Sequence, residues 1–182
     1  MRLESRILVL MFMTINTACL AQGQHAKPGT QIVFGMESHP IKNPIDVPIT
    51  VLDLLKSDPV VKDCLDYSEK SDPPSSWFVA SAIRLQANRQ GDLIVLPRDL
   101  SPDNNSCLFH VHSIPVWIFI KTRNGHELAL TDNTQVVEIQ KTASHSYHDI
   151  RTSMTILSGE FVFWYKFDGH RYALFKKWRK DS

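Results

Sequence analysis

The sequence predicts an α+β fold, in which short helices near the amino end precede an antiparallel β meander of six to eight strands. Three observations support this class. Apolar residues recur at three- and four-residue spacing between residues 49 and 67, the period of an amphipathic helix. From residue 77 onward, short runs rich in β-branched and aromatic residues alternate with turn-forming residues. No helical pattern separates these runs, so neighbouring strands should be antiparallel.

The helical region is predicted to form two short helices rather than one. Asp58-Pro59 interrupts the apolar pattern with a capping side chain, followed by a proline suited to the first helical position. Prolines within residues 71–76 then end the helical region, because proline donates no backbone hydrogen bond. We therefore expect one helix on each side of this interruption and a loop after residue 67.

The strands are expected to be joined by short turns. Asn124-Gly125 and Asp168-Gly169 are the dipeptides that hairpin turns favour. The basic residues 176–180 are interpreted as a solvated end of the domain. The predicted strands are residues 77–85, 92–96, 115–121, 127–130, 135–140, 160–167 and 171–175.

Residues 1–21 are predicted to be a signal peptide. Two arginines precede an apolar run at residues 7–13, and small residues follow it before the expected cleavage point. The run is shorter than the roughly 20 residues that cross a membrane. Cys19 leaves lipid attachment open, although Asn16 stands where a bacterial lipobox prefers leucine. Cleavage predicts a periplasmic or secreted protein, and lipidation predicts an envelope lipoprotein.

Behind this segment the chain is predicted to comprise an extended arm, residues 22–48, and a single α+β domain, residues 49–182. Four prolines argue against a helix in the arm, whose apolar island at residues 31–34 could add an edge strand. The whole chain has 20 Lys and Arg residues against 19 Asp and Glu residues. A chain this balanced has no overall field that attracts nucleic acid or anionic lipid, so neither is an expected partner.

The cysteines also bear on the compartment. Cys64 and Cys107 are the two that follow the predicted signal peptide. In an oxidising compartment such a pair is predicted to form a disulfide. The chain-entropy model assigns a bridge across a loop of this length about 4 kcal/mol. Two buried free thiols are the alternative that the sequence leaves open.

Histidines are the candidate metal ligands. His110 and His112 would share one face of a strand, since strand side chains alternate, and His148 could join them in space to suit zinc. The sequence places no carboxylate beside them in a known metal motif, and it contains neither a glycine-framed serine nor a phosphate-binding glycine loop. We therefore predict no catalytic residue and no cofactor, with a histidine-based metal hydrolase as the alternative.

Aromatic and basic residues in the later strands are the candidate partner-binding residues. Tyrosine, tryptophan and arginine are typical anchors of protein interfaces. The alternative is that the aromatic residues pack across paired strands. The candidates are Trp117, Tyr147, His148, Tyr165, Arg171 and Tyr172.

The same segments resemble a group of uncharacterised exported bacterial proteins that carry a degenerate FG-GAP-like β unit. The resemblance extends from residue 83 to residue 175 and implies an exported, β-rich module. In such units an aspartate-rich turn can hold calcium. Here Asp92 is the one carboxylate in that turn and Arg89 adds a positive charge, so the sequence does not predict calcium binding. The motifs that carry the resemblance are Asp92–Val95, Pro115–Phe119, Tyr147–Ile150 and Tyr165–Tyr172.

These observations favour a non-catalytic, secreted or periplasmic binding module that acts on a protein or an envelope component. A more specific version is an enzyme inhibitor, in which the Pro97–Ile114 loop enters the cleft of its target. The alternatives are the metal-assisted hydrolase and a structural lipoprotein of the envelope.

Overall fold

The structure is a computed structural model that describes residues 30–99, 101 and 103–181. The predicted signal peptide and Cys19 lie outside the described residues. Within these residues, two α-helices and nine strands form an α+β fold with two antiparallel sheets, which confirms the predicted class with more strands than the six to eight expected. The elements are α1 (Ile49–Leu55), α2 (Pro59–Tyr67), β1 (Gln31–Gly35), β2 (Phe78–Ile83), β3 (Asp92–Pro97), β4 (Ile114–Thr122), β5 (Gly125–Thr134), β6 (Val136–Ser144), β7 (Tyr147–Ile156), β8 (Gly159–Phe167) and β9 (Tyr172–Lys180).

The fold has three layers. One sheet has the strand order β2-β3-β4-β5, and the other has the order β1-β6-β7-β8-β9. One hydrophobic cluster joins the four-stranded sheet to the helices, and a second joins its opposite face to the five-stranded sheet. Because the four-stranded sheet is covered on both faces, β3 is buried along its whole length, and so is most of β4. This explains why both strands are nearly continuous apolar runs.

The helices begin where the sequence predicts. The carboxylate of Asp58 accepts a hydrogen bond from the backbone N–H of Val60 at 3.0 Å, and Pro59 occupies the first turn of α2. Helices this short are unstable alone, so burial of their apolar faces on the four-stranded sheet stabilises them. No helix in the described part of the chain combines the length and apolar character that a membrane crossing requires.

The arm and the turns differ in part from the sequence prediction. The apolar island in the arm forms β1, an edge strand that pairs with β6, as expected. Thr122 pairs with Gly125, so Arg123 and Asn124 form that hairpin turn. The predicted two-residue turn at Asp168-Gly169 is a longer loop that runs through Arg171. Its longer form is stabilised by the Asp168 carboxylate, which accepts the N–H groups of His170 and Arg171, each at 2.9 Å.

Two strands depart further from the prediction. β7 was not predicted as a complete strand, because much of it is polar. The basic residues 176–180 are exposed apart from the half-buried Trp178, as expected of a solvated end, and they form the second half of β9, which was not predicted. They pair with β8 in a regular antiparallel ladder.

Gly159 occupies a position that favours glycine alone. Its φ is +134°, and a Cβ there would overlap the carbonyl oxygen of Lys180. We expect Gly159→Ala to lower the free energy of unfolding by roughly 2 kcal/mol, measured by urea denaturation. Gly125→Ala is the matched control, since Gly125 has a φ of +132° but open space around a Cβ. Equal losses in the two variants would contradict the role assigned to the overlap.

Candidate binding surface

Four of the six predicted partner-binding residues belong to the core. Trp117 is completely buried, and Tyr147, Tyr165 and Tyr172 are also buried. Trp117 faces the helices, whereas the tyrosines lie between the two sheets. The prediction of a partner surface is therefore wrong for these four residues, whose aromatic area stabilises the packing of the layers.

The other two candidates lie elsewhere. His148 is half-buried, and its backbone N–H donates to the carbonyl of Leu85 at 2.7 Å. Its ring Nδ1 is buried and has no hydrogen-bond partner among the described residues. Arg171 is exposed in the loop between β8 and β9. Of the six, Arg171 alone projects a charged group freely into solvent.

The candidate histidines His110 and His112 do not share a strand face. His110 bridges to Ser113, so His110 and His112 belong to a tight turn and not to a strand face. Within residues 30–99, 101 and 103–181, no three His, Cys, Asp or Glu side chains come together as a metal-binding group. The proposed sharing of one face is wrong, because a turn directs its successive side chains differently from a strand.

Cys64 of α2 is joined by a disulfide to Cys107, with the two Cα atoms 5.4 Å apart. This pairing is the one that the sequence favours. Nearby, the buried Asn105 amide donates to the carbonyls of Trp77 and Arg98, at 2.9 and 2.8 Å. The Pro97–Ile114 loop, of which residues 100 and 102 are not described, is thus fixed to both the helix layer and the four-stranded sheet.

Three turns with apolar tips meet at one end of the two sheets. Met36 follows β1, Val111 is at the tip of the His110–Ser113 turn, and Leu157 is at the tip of the β7–β8 hairpin. Val111 is 90% exposed and Leu157 is 104% exposed. Together with Gln135 they line a groove of about 510 Å³. We call Met36, Val111, Gln135 and Leu157 the loop-end surface.

Gln135 connects the three turns. Its side-chain amide donates to the carbonyl of His112 at 2.6 Å and to that of Thr155 at 3.1 Å, and its Oε1 accepts the Thr155 N–H at 2.8 Å. Its backbone carbonyl accepts the N–H of Met36 at 2.9 Å. One residue therefore links the turns that carry the apolar tips.

Turn formation does not explain the residue types at these tips. Turns favour Gly, Pro, Asn, Asp and Ser, which satisfy the backbone or adopt its special angles. Single exposed apolar residues are ordinary on protein surfaces. Here three of them surround one groove.

A polar cluster ties the two sheets together close to this end. The Asp132 carboxylate on β5 accepts the hydroxyl hydrogen of Thr152 on β7, with the oxygens 2.5 Å apart. Tyr165 on β8 lies beside this carboxylate, and burial raises the pKa of Asp132. Burial and the neighbouring carboxylate raise the pKa of Tyr165. Since Thr152 and Tyr165 are buried, the cluster joins sheets instead of facing solvent.

We expect the free energy of unfolding of Asp132→Asn to increase relative to that of the wild type as the pH rises. The folded-state pKa of Asp132 lies above its unfolded value of about 3.9. Its favourable contribution is therefore present below that unfolded value and is lost as the pH rises through the folded-state pKa. Asparagine retains an acceptor oxygen and carries no charge. Urea denaturation of both proteins between pH 4 and pH 8 tests this, and a difference that does not change with pH would contradict it.

Comparison with known proteins gives no relative: no family model, no curated protein and no solved structure matches this chain. The fold and the loop-end surface alone define the class of this protein. It is an α+β protein of three layers with a preorganised apolar groove at one end. The resemblance to FG-GAP-like exported proteins stays a prediction. Asp92, from the turn of that unit, is buried and accepts the N–H groups of Leu85 and Lys121 at 3.2 and 2.9 Å.

Proposed function

We propose that this protein is an exported, non-catalytic binding module that docks on a protein or envelope component through the loop-end surface. The observation that carries the proposal is the connection of three exposed apolar tips by Gln135. Apolar anchors on a rigid frame are what the central part of a protein interface requires. Because the tips are already positioned, binding loses less conformational entropy than it would with mobile loops.

An extracytoplasmic location is part of this proposal. The predicted signal peptide, residues 1–21, supports it. The Cys64–Cys107 disulfide is compatible with it, because such bonds persist in oxidising compartments. Amino-terminal sequencing by mass spectrometry distinguishes cleavage before Gln22 from lipidation at Cys19.

The finer proposal is that the module inhibits an enzyme. Val111 projects from the Pro97–Ile114 loop, whose base is held by the disulfide and by Asn105. A fixed loop with an exposed apolar tip is suited to entering a cleft, since little of it must become ordered. A panel of lytic enzymes and proteases, assayed with and without the protein, tests inhibition directly.

Affinity capture from the native compartment tests the surface itself. We expect a partner captured by the wild type to be lost with Val111→Asp/Leu157→Asp, by at least about tenfold, since both changes place a charge in an apolar contact. Tyr67→Asp is the matched control, because Tyr67 is also a highly exposed apolar residue but lies on α2. A partner that binds the double variant as well as the wild type would contradict the proposal.

Gln135→Ala should weaken the same partner by roughly threefold to tenfold while leaving every apolar tip in place. The expected cause is the loss of the side-chain bonds to His112 and Thr155, so the tips must be ordered on binding. Titration calorimetry should report the loss as a less favourable entropy. Gln135→Glu should behave similarly, because a carboxylate cannot donate to two carbonyls; unchanged affinity in both variants would exclude the positioning role.

A further inference from the structure

β9 leaves one edge of the five-stranded sheet open. β8 pairs with one side of it, and among the described residues no strand pairs with the other. In an antiparallel ladder, alternate backbone N–H and C=O groups point away from the neighbouring strand. An open edge of this length can therefore accept a further strand.

The second half of this edge is basic on both faces. Phe175 forms a bulge, after which Lys176–Lys180 pair regularly with β8. Lys176 and Lys180 share one face with Trp178, and Lys177 and Arg179 share the other, because strand side chains alternate. The Lys176 ammonium lies 5.6 Å from the Trp178 ring centroid, and the Lys177 ammonium lies 5.0 Å from that of Phe163. Aromatic rings thus support a cation on each face.

These charges are not fully balanced within the molecule. Lys180 forms an ion pair with Glu160 at 2.5 Å, and Arg179 forms one with Asp181 at 3.2 Å. In the described part of the chain, Lys176 and Lys177 form no ion pair. Two exposed ammonium groups on opposite faces of the strand therefore remain available to a partner.

A second copy of this chain does not complement the edge. Pairing β9 with β9 would place lysine and arginine side chains opposite one another, which is destabilising. Lysines do protect sheet edges from such pairing. Protection alone does not account for Leu174 and Phe175, which are 54% and 58% exposed on the same strand. The edge rejects a like-charged strand and still offers apolar contacts.

We propose that the β9 edge, Leu174–Lys180, receives an extended acidic segment of a partner protein as a sixth strand of this sheet. Backbone hydrogen bonds would supply affinity, and basic side chains on both faces would select acidic side chains. A flat anionic membrane would contact the cations on one face of the strand. The cations of β9 lie on both of its faces, so an acidic strand fits them better. The β9 edge is a different surface from the loop-end surface, and this proposal stands whether or not that surface binds.

Synthetic peptides matched to β9 in length provide the probe. We expect a labelled peptide of Glu-Glu-Val repeats, which carries glutamate on both strand faces, to bind at least about tenfold more tightly than its lysine counterpart. A version of the acidic peptide with a central proline should bind much more weakly, because proline cannot complete the ladder. Hydrogen exchange should show slower exchange of β9 amides in the complex. Equal binding of the proline peptide, or unchanged β9 exchange, would overturn the proposal.

Charge-reversal variants test the selectivity. Lys176→Glu/Lys177→Glu should weaken the acidic peptide roughly tenfold. Lys62→Glu/Lys141→Glu makes the same change in net charge at exposed positions elsewhere and should leave binding unchanged. Equal weakening in both would indicate a general field and overturn the proposal. So would binding to phosphatidylglycerol vesicles without peptide binding, or dimerisation through β9 in sedimentation. Should the β9 variant fail to fold, the wild-type peptide series still decides.

Discussion

Replacing Cys64 and Cys107 with alanine is expected to lower the free energy of unfolding by about 4 kcal/mol. The bond joins residues 43 apart in sequence, so it restricts the unfolded chain strongly. In the folded protein it also holds the Pro97–Ile114 loop against α2. Urea denaturation of the double variant and the wild type measures the difference.

Reduction of the wild type is the matched control for this prediction. With excess reductant the wild type should approach the stability of the variant, because the same bond is absent from both. Cys64 is 2% exposed, so the alanine variant also loses some packing and should be slightly the less stable. A difference below about 1 kcal/mol between oxidised wild type and variant would show that the bond contributes little.

Trp117→Ala should cost about 3 to 5 kcal/mol. Trp117 is completely buried between the four-stranded sheet and the helices, and its ring meets that of Phe78 edge-on, with centroids 5.6 Å apart. Removing it leaves a large cavity between the four-stranded sheet and the helices. An interface residue at the surface would change stability by less than about 0.5 kcal/mol. Thermal and urea unfolding therefore discriminate between the two roles.

Trp117→Phe separates volume from hydrogen bonding. The indole Nε1 is buried and has no hydrogen-bond partner among the described residues. Phenylalanine removes this unpaired donor and fills most of the volume, so the expected loss is about 1 kcal/mol. A loss as large as that of the alanine variant would contradict this account of the site.

The sequence predicted those features of the fold that depend on local patterning. The Asp58-Pro59 interruption specifies the start of α2, because capping and proline act within one turn. The apolar runs of β3 and β4 were equally clear. β7 was missed because Arg151 and Thr152 make part of it look like a loop. In the structure they pair with Glu138 and Asp132 of neighbouring strands, and sequence spacing gives no sign of such partners.

The candidate site was harder to predict because its parts are distant in sequence. The aromatic character of Trp117 could not show whether this residue belongs to the core or anchors an interface. Val111 stands between two histidines and Leu157 directly precedes Ser158-Gly159, and these turn-like positions could have marked both as exposed tips. Their proximity to Met36 depends on the pairing of β1 with β6, for which the sequence contains no local signal. The role of Gln135 follows from that same pairing.

The pairing of β1 with β6 also has a consequence for biogenesis. Gln31 lies opposite Ile139, so β1 cannot pair until β6 has been synthesised much later. Contacts between such distant segments form slowly. Until these contacts form, the edge of β6 that carries Val137 and Ile139 is unpaired. Such an edge can associate with a neighbouring nascent molecule. We therefore expect the nascent polypeptide to be most prone to aggregation before β1 pairs with β6.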